Sequence, residues 1–143
     1  MSNINSNPAD AVRRLECGDC TLVVLNGGTM HVRSQRGIND LLDILYTQPE
    51  ILRGAFVADK VVGKGAAALM ILGGVERVYA AVLSRPAAQL FSASGVDIEY
   101  GNLVDNIINR AGTGICPVEA LCEPCDTAEE CKNLILEWTA KNE

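Results

Sequence analysis

The chain has 143 residues, of which 48% are hydrophobic and 21% charged, as expected for one globular domain with its own core. The net charge of -6 and the 4% aromatic content oppose a nucleic-acid partner, which needs basic patches and stacking rings. No apolar run reaches the length of a membrane span, and the polar start MSNINSNP has no signal-peptide core. We therefore expect a single domain over residues 1–143 in the cytoplasm, with reduced cysteines and without a nucleic-acid or membrane partner.

The N-terminal part predicts a helix followed by a β-hairpin. Residues 1–7 are polar and predict a disordered tail. Asn7 and Pro8 at its end are typical of a helix N-cap and the first helical position, so a helix is expected to begin there. Two β-branched and apolar segments, Thr21–Asn26 and Thr29–Arg33, are separated by Gly27-Gly28, and a two-residue glycine turn between strands predicts a hairpin. Because the first segment contains a continuous apolar run, we expect a central strand covered on both faces.

An amphipathic helix and a buried helix are predicted next. Apolar residues recur at helical spacing over Ile38–Leu45, with Asp40 expected on the solvent side. The stretch Gly54–Gly74 then contains a charged turn at Asp59-Lys60, followed by Ala66–Leu72, which is apolar on every side. A helix of that kind is buried, so we expect Ala66–Leu72 to be the central helix of the domain.

The second half of the chain alternates strands and helices. The predicted elements are a strand Arg77–Leu83, a helix from Pro86, a strand Asp97–Tyr100, helical segments from Leu103 and from Cys116, and a last helix with a Thr127/Glu130 capping box. Strands that alternate with helices after a hairpin predict an α/β fold. We expect a three-layer α/β/α sandwich whose mixed sheet opens with the hairpin.

The only dense run of glycine and lysine, Gly63-Lys64-Gly65, stands at the start of the predicted central helix. It is not a P-loop, because Ala58 stands at the first glycine and Gly65 at the hydroxyl that binds Mg²⁺. It is a weak dinucleotide pattern, because Lys60-Val61-Val62 separates it from the preceding segment. Two interpretations stay open: the glycines allow close packing of the helix start against the sheet, or its free N–H groups and Lys64 bind an anion.

Two CxxC pairs, Cys17/Cys20 and Cys122/Cys125, are candidate ligands of a four-thiolate zinc site. The pairs are nearly a whole domain apart in the sequence, and cytosolic cysteines more often serve as small hydrophobic residues. A cysteine-based metal or redox module is therefore an alternative to the other hypotheses rather than the leading one.

Two helices that begin near Gly63 and Pro86 and flank the strand Arg77–Leu83 resemble the core of the cytidine-deaminase-like fold. In zinc deaminases these helices open with [HC]-x-E and P-C-x-x-C. Pro86 matches, but Ala87 and Leu90 stand at the two cysteine positions, and the first helix has no [HC]-x-E. The resemblance therefore implies the fold without zinc at the deaminase position, and without the metal-activated water that deamination requires.

The chain more closely resembles a small family of prokaryotic domains of unknown function that have this fold and lack the zinc site. The residues that carry the resemblance are Ser34–Leu45, Ala58–Ala68, Asn109-Arg110 and Cys116–Glu119. This family implies a fold and no activity, and no cofactor follows from it.

The resemblance also implies a place for a ligand. In deaminases the cleft lies where the two helix N-termini converge, and two N-termini facing one cleft favour an anion. We predict a nucleotide or another phosphorylated small molecule. The candidate binding residues are Asp59, Lys60, Gly63, Lys64, Gly65, Ser84, Arg85, Asn109 and Arg110.

Other hypotheses compete with ligand binding. Deaminase-like proteins commonly assemble through core helices, so the resemblance implies a homo-oligomer or scaffolding protein, with Ala66–Leu72 as the interface. Asp59 and Glu119 are possible acid–base groups of an enzyme, but the sequence does not place them together.

Overall fold

The computed structural model describes residues 6–35 and 38–141, which fold around an open five-stranded sheet. The strands are β1 (Leu22–Asn26), β2 (Thr29–Arg33), β3 (Phe56–Val62), β4 (Arg77–Ser84) and β5 (Asp97–Val104). They lie in the order β2-β1-β3-β4-β5; β1 is antiparallel to both of its neighbours, and β3, β4 and β5 are parallel. The predicted α/β class, the opening hairpin and the interior position of the first strand are confirmed.

Helices cover both faces of the sheet. They are α1 (Pro8–Glu16), α2 (Asn39–Thr47), α3 (Lys64–Gly73), α4 (Arg85–Ser94), α5 (Pro117–Cys122) and α6 (Ala128–Lys141), with a 3-10 turn at Pro49–Ile51. α1 packs on β1 and β3 with its own small core, while the other helices gather around α3 on the opposite face. Within the described residues, no helix has the length and apolarity needed to cross a membrane.

Two predicted helix starts are confirmed by their capping hydrogen bonds. Asn7 and Asp10 form a reciprocal capping box at the start of α1, so Asn7 belongs to the helix start rather than to the tail. Thr127 and Glu130 form the predicted capping box before α6. Residues 1–5 of the predicted tail lie outside the described residues.

α3 is the central helix, as predicted from its uniform apolarity. Every residue from Lys64 to Met70 is buried, because α2, α4, α5 and α6 surround the helix. Ile71 and Leu72, towards the end of the helix, are half-buried. Most of Ala66–Leu72, the predicted interface between copies, is therefore covered by other helices of the same chain.

Two local predictions are wrong. Asp59-Lys60 is part of β3 rather than a turn, because Asp59 pairs with Leu22 on one side and Ala80 on the other. Residues 103–104 extend β5 beside the end of β4 instead of starting a helix, and residues 105–116 form an irregular excursion closed by a bridge between Ile108 and Ile115. Short apolar runs do not distinguish strand from helix, so sheet pairing decides here.

Asp40 is also placed differently from its prediction. It is only 3% exposed, and its Oδ2 atom accepts a hydrogen bond of 2.8 Å from the backbone N–H of Gln35. The carboxylate therefore serves the segment before α2 instead of facing solvent.

Candidate functional site

The carboxylate of Glu119 connects three segments of the chain at the starts of α3 and α4. Glu119 lies on α5 and is 2% exposed. Its Oε1 atom accepts hydrogen bonds from the backbone N–H of Lys64 at 2.7 Å and from the Ser84 hydroxyl at 3.2 Å. Its Oε2 atom accepts one of 2.7 Å from the backbone N–H of Ile107. A negative charge at the N-terminal end of α3 is stabilised by the helix dipole.

The two helix starts need Glu119 to different degrees. Gly63 is the N-cap of α3 and has no side chain that could accept a hydrogen bond, so the Glu119 carboxylate takes that role from a distant part of the chain. α4 has its own N-cap, because the Ser84 hydroxyl accepts a hydrogen bond from the N–H of Ala87 at 3.2 Å. Ser84 also donates its proton to Glu119, and this links the two helix starts.

Glycine is required beside this carboxylate because other helices approach closely. A Cβ atom on Gly63 would lie 2.9 Å from Oε1 of Glu119, and one on Gly65 would lie 2.5 Å from Cγ1 of Val118. The close packing expected for the glycines therefore exists, but it is packing against α5 rather than against the sheet.

The side chain of Lys64 is buried, and its ammonium group is hydrogen-bonded to backbone carbonyls, although its charge also acts on the carboxylate of Glu130. It is 9% exposed, and its Nζ atom donates to the backbone carbonyls of Glu123, at 3.1 Å, and of Cys125. An ammonium group has three donors, so these two carbonyls leave one donor over. Among the described residues, no carboxylate forms a salt bridge with Lys64. Buried charges are usually paired directly, so an ammonium group without a salt bridge is a suitable place for an anion, even though Glu123 and Asp126 line the same depression.

A depression of about 320 Å³ opens beside Lys64. Pro86, Gln89, Leu90 and Ala93 of α4 form one wall, and Glu123, Cys125 and Asp126 form the other. Its volume is at the small end of the range for small-molecule sites, which runs from roughly 300 to 1,000 Å³.

A second depression, of about 270 Å³, lies at the opposite ends of the parallel strands. Its cation, Arg77, is within 3.3 Å of Glu99 and stacks over the ring of Phe56. Because that charge is already neutralised, we regard the depression at Lys64 as the better candidate for an anion.

The structure does not bring Arg85, Asn109 and Arg110 into this depression. Arg85 is exposed and pairs with Asp105 at 3.0 Å. The Asn109 side chain bonds to Thr113, through both its amide and its carbonyl groups, and Arg110 is exposed in the same turn. These residues shape the excursion at 105–116, whose contact with Glu119 comes from the backbone of Ile107 instead.

Asp59 and Lys60 also lie apart from Glu119. The charge of Lys60 acts on Asp19 and Cys20, next to α1 on the other face of the sheet. Asp59 is buried close to Asp40. Burial raises the pKa of Asp59 to about 8. Hydrogen bonds from the backbone N–H groups of Val61 and Lys60 oppose this rise, and repulsion by Asp40 adds to it. Asp59 and Glu119, the two acid–base candidates, therefore have separate surroundings.

The two cysteine pairs are not brought together. Cys20 packs in the small core under α1, whereas Cys122 and Cys125 pack in the core around α3 on the other face of the sheet. In the part of the chain that the structure describes, no cluster of three or more cysteine, histidine or acidic side chains is arranged to hold a metal ion. The four-thiolate site expected as an alternative does not form.

The central role of Glu119 was not predicted from the sequence. Glu119 is the only charged residue in the six-residue helix PVEALC, and this is the one local hint that its side chain turns inward. Its partners, at positions 64, 84 and 107, are scattered along the chain, so no spacing pattern reveals them.

Comparisons with known proteins agree with this fold. The crystal structure of a DUF1893 family protein (TM1506) from Thermotoga maritima resembles this chain with a TM-score of 0.81 at 23% sequence identity, covering 96% of this chain and 95% of that one. At this identity the likeness shows a shared fold. No curated protein matches the sequence. The family model TM1506, described as a domain of unknown function (DUF1893), matches residues 10–138, and the chain therefore belongs to the DUF1893 family.

Proposed function

We propose that this protein binds an anionic small molecule, a nucleotide or another phosphorylated compound, in the depression beside Lys64. The observation that carries the proposal is the buried Lys64 ammonium, whose acceptors among the described residues are the carbonyls of Glu123 and Cys125. Carbonyl groups solvate a cation but do not neutralise it. A phosphate would supply a directly bonded negative charge and accept the third hydrogen bond, and such charge-assisted bonds are the strong ones.

Glu119 determines how such a ligand would approach. Because Glu119 accepts the hydrogen bond from the backbone N–H of Lys64, the ligand would meet the lysine side chain rather than the start of α3. Along α4, Gln89 offers a hydrogen-bonding amide, while Pro86 and Leu90 offer apolar surface. This combination suits a compound with a phosphate at one end and a ring at the other.

In this proposal, the depression is the remnant of a deaminase-like active-site cleft. Ala87 and Leu90, at the positions where zinc deaminases have cysteine ligands, are 0% and 7% exposed. Their hydrocarbon side chains cannot ligate a metal, and they pack in the core instead. We therefore propose a function in binding rather than in zinc-dependent deamination.

The test is a binding screen on the wild-type chain and on two variants. Nucleoside phosphates, the matching nucleosides and inorganic phosphate are compared by thermal shift, and hits are measured by calorimetry. Lys64→Gln removes the charge but keeps a donor for the carbonyls, and Lys141→Gln removes an exposed charge at the end of α6. We expect phosphorylated compounds to bind the wild type and Lys141→Gln alike, and to bind Lys64→Gln at least about tenfold more weakly, about 1.4 kcal/mol. Equal binding to Lys64→Gln, or no binding by any compound, would refute the proposal.

A homo-oligomer is the second candidate function, favoured by one observation. Ile108 and Ile115 face each other across the bridge in the excursion and are 55% and 46% exposed. An exposed apolar pair of this kind suits contact between copies. Sedimentation of the wild type and of Ile108→Asp tests it: a concentration-dependent assembly that the substitution disrupts supports the proposal, and a strict monomer contradicts it.

A further inference from the structure

The turn between α5 and α6 wraps around the Lys64 ammonium and carries two acidic residues. The Nζ atom of Lys64 donates to the backbone carbonyls of Glu123, at 3.1 Å, and of Cys125. Glu123, Cys125 and Asp126 also form one wall of the depression beside Lys64. The depression is therefore lined by charges of both signs, which belong to a single turn and the lysine that it encloses.

The carboxylates of Glu123 and Asp126 have no partner in the part of the chain that the structure describes. Both residues are exposed, and neither carboxylate forms a hydrogen bond or a salt bridge there. Glu130 differs from them, because its Oε1 atom accepts hydrogen bonds of 2.9 and 3.1 Å from the backbone N–H groups of Asp126 and Thr127. Glu130 fixes the turn, while Glu123 and Asp126 keep their acceptors for another group.

The charges that line the depression do not suit a simple anion. Lys64 supplies one positive charge, and Glu123 and Asp126 supply two negative ones. Cys125 adds none at neutral pH, because burial raises the pKa of its thiol to about 11. An anion that is attracted by the ammonium is repelled by the two carboxylates, whereas a ligand that also carries a cation is attracted by all three groups.

We propose that the depression selects a zwitterion, a phosphate monoester that also carries a protonated amine. The phosphate accepts the third hydrogen bond of Lys64, and the ammonium group of the ligand donates to the carboxylates of Glu123 and Asp126. This inference rests on the proposed function and narrows its class of ligand. The volume of about 320 Å³ suits a compact molecule, and the apolar surface of Pro86 and Leu90 suits the carbon atoms between its two charged ends.

The test compares phosphates with and without an amine. Two matched pairs are titrated by calorimetry at pH 7: phosphoethanolamine with ethyl phosphate, and pyridoxamine 5′-phosphate with pyridoxine 5′-phosphate. The members of each pair share the phosphate and the carbon skeleton next to it. We expect the wild type to bind each amine at least about fivefold more tightly than its amine-free partner, about 1 kcal/mol, as an exposed ion pair provides.

Three variants separate the two ends of the ligand. In the double variant Glu123→Gln/Asp126→Asn, the amines should bind more weakly and the amine-free phosphates more tightly, so that the preference disappears. Lys64→Gln should weaken all four compounds and leave the ratio within each pair unchanged. Glu137→Gln, at an exposed position of α6, should keep the wild-type ratio. The Tm of each variant without ligand shows that it is folded.

The outcomes distinguish this inference from anion binding itself. Equal binding within each pair, weakened for both members by Lys64→Gln, would overturn the selection of a zwitterion and leave anion binding at Lys64 standing. A preference for amines that persists in the double variant would show that Glu123 and Asp126 do not recognise the amine. Failure of both amines to bind would overturn the inference even where a nucleotide binds.

Discussion

The backbone N–H of Lys64 donates a 2.7 Å hydrogen bond to the carboxylate of Glu119, across 55 positions of sequence. The glycine that precedes Lys64 cannot cap its own helix, so a side chain from α5 does so. The same carboxylate holds the hydroxyl of Ser84 and the backbone of Ile107. The start of the central helix, the start of α4 and the excursion before α5 therefore depend on a single buried charge.

Glu119→Ala is expected to destabilise the fold strongly. The substitution leaves two buried donors and one partly buried donor without their acceptor, and each buried donor costs about 1–3 kcal/mol. We expect a loss of at least about 3 kcal/mol in the free energy of unfolding, measured by urea denaturation. Acetate or formate should restore part of it by entering the vacated place. Glu137→Ala, on the exposed side of α6, is the matched control and should change stability by less than about 0.5 kcal/mol. A Glu119→Ala variant as stable as this control would contradict the central role of the carboxylate.

Ser84→Ala should cost less than Glu119→Ala. It removes the N-cap of α4 and one of the hydrogen bonds to Glu119, but it leaves the bonds from positions 64 and 107 in place. Losing an N-cap costs about 1 kcal/mol, and the lost partner of a buried carboxylate adds about as much again. Urea denaturation, with the exposed Ser92→Ala as control, measures this. An effect no larger than that of the control would show that Ser84 is not a working cap.

Gly65→Ala tests whether glycine serves close packing. The new Cβ would lie 2.5 Å from Cγ1 of Val118 and 3.3 Å from Cδ1 of Ile135. Val118 is β-branched and has little rotamer freedom to move away. Overpacking of about 1–3 kcal/mol should outweigh the better helix propensity of alanine, which is worth up to about 1 kcal/mol. Gly114→Ala meets nothing within 4 Å and is the control. If Gly65→Ala raises Tm, the packing argument is wrong.

Because the pKa of Asp59 is raised, we expect the folded chain to lose stability as the pH rises. Its pKa in the folded chain is about 8, above that of an unfolded aspartate, so the folded state holds a proton that the unfolded state has released. The stabilising contribution is complete below about pH 4 and is lost as the pH rises towards 8, by up to about 1.4 kcal/mol per pH unit. Asp59→Asn keeps a carbonyl for the backbone N–H groups and carries no charge.

We therefore expect the wild type to lose stability between pH 5 and pH 8 more steeply than Asp59→Asn, and the variant to be the more stable protein at pH 8. Denaturation curves across this range measure both. Asp43→Asn, at an exposed position of α2, should follow the wild type. Parallel profiles for the wild type and Asp59→Asn would show that Asp59 ionises normally.

Local patterns in the sequence were enough for the elements that depend on neighbouring residues. The uniform apolarity of Ala66–Leu72 identified the buried helix, the glycine pair identified the hairpin, and the Thr127/Glu130 pair identified the start of α6. Each of these signals acts within a few residues, where propensity and capping determine the conformation. The resemblance to a domain of unknown function agrees with the match to the DUF1893 family model.

The burial and the hydrogen-bond partners of the charged side chains depend on the tertiary structure alone. Asp40 was expected in solvent and is buried near Asp59, and residues 103–104 continue a strand because β4 is there to pair with them. Lys64 was identified from its glycine neighbours, but that its charge is buried among carbonyls depends on α5 and the turn after it. Hydrogen bonds and packing contacts between segments far apart in the sequence produce no periodic pattern of residues. For this reason the residue that organises the site, Glu119, became visible only in the folded chain.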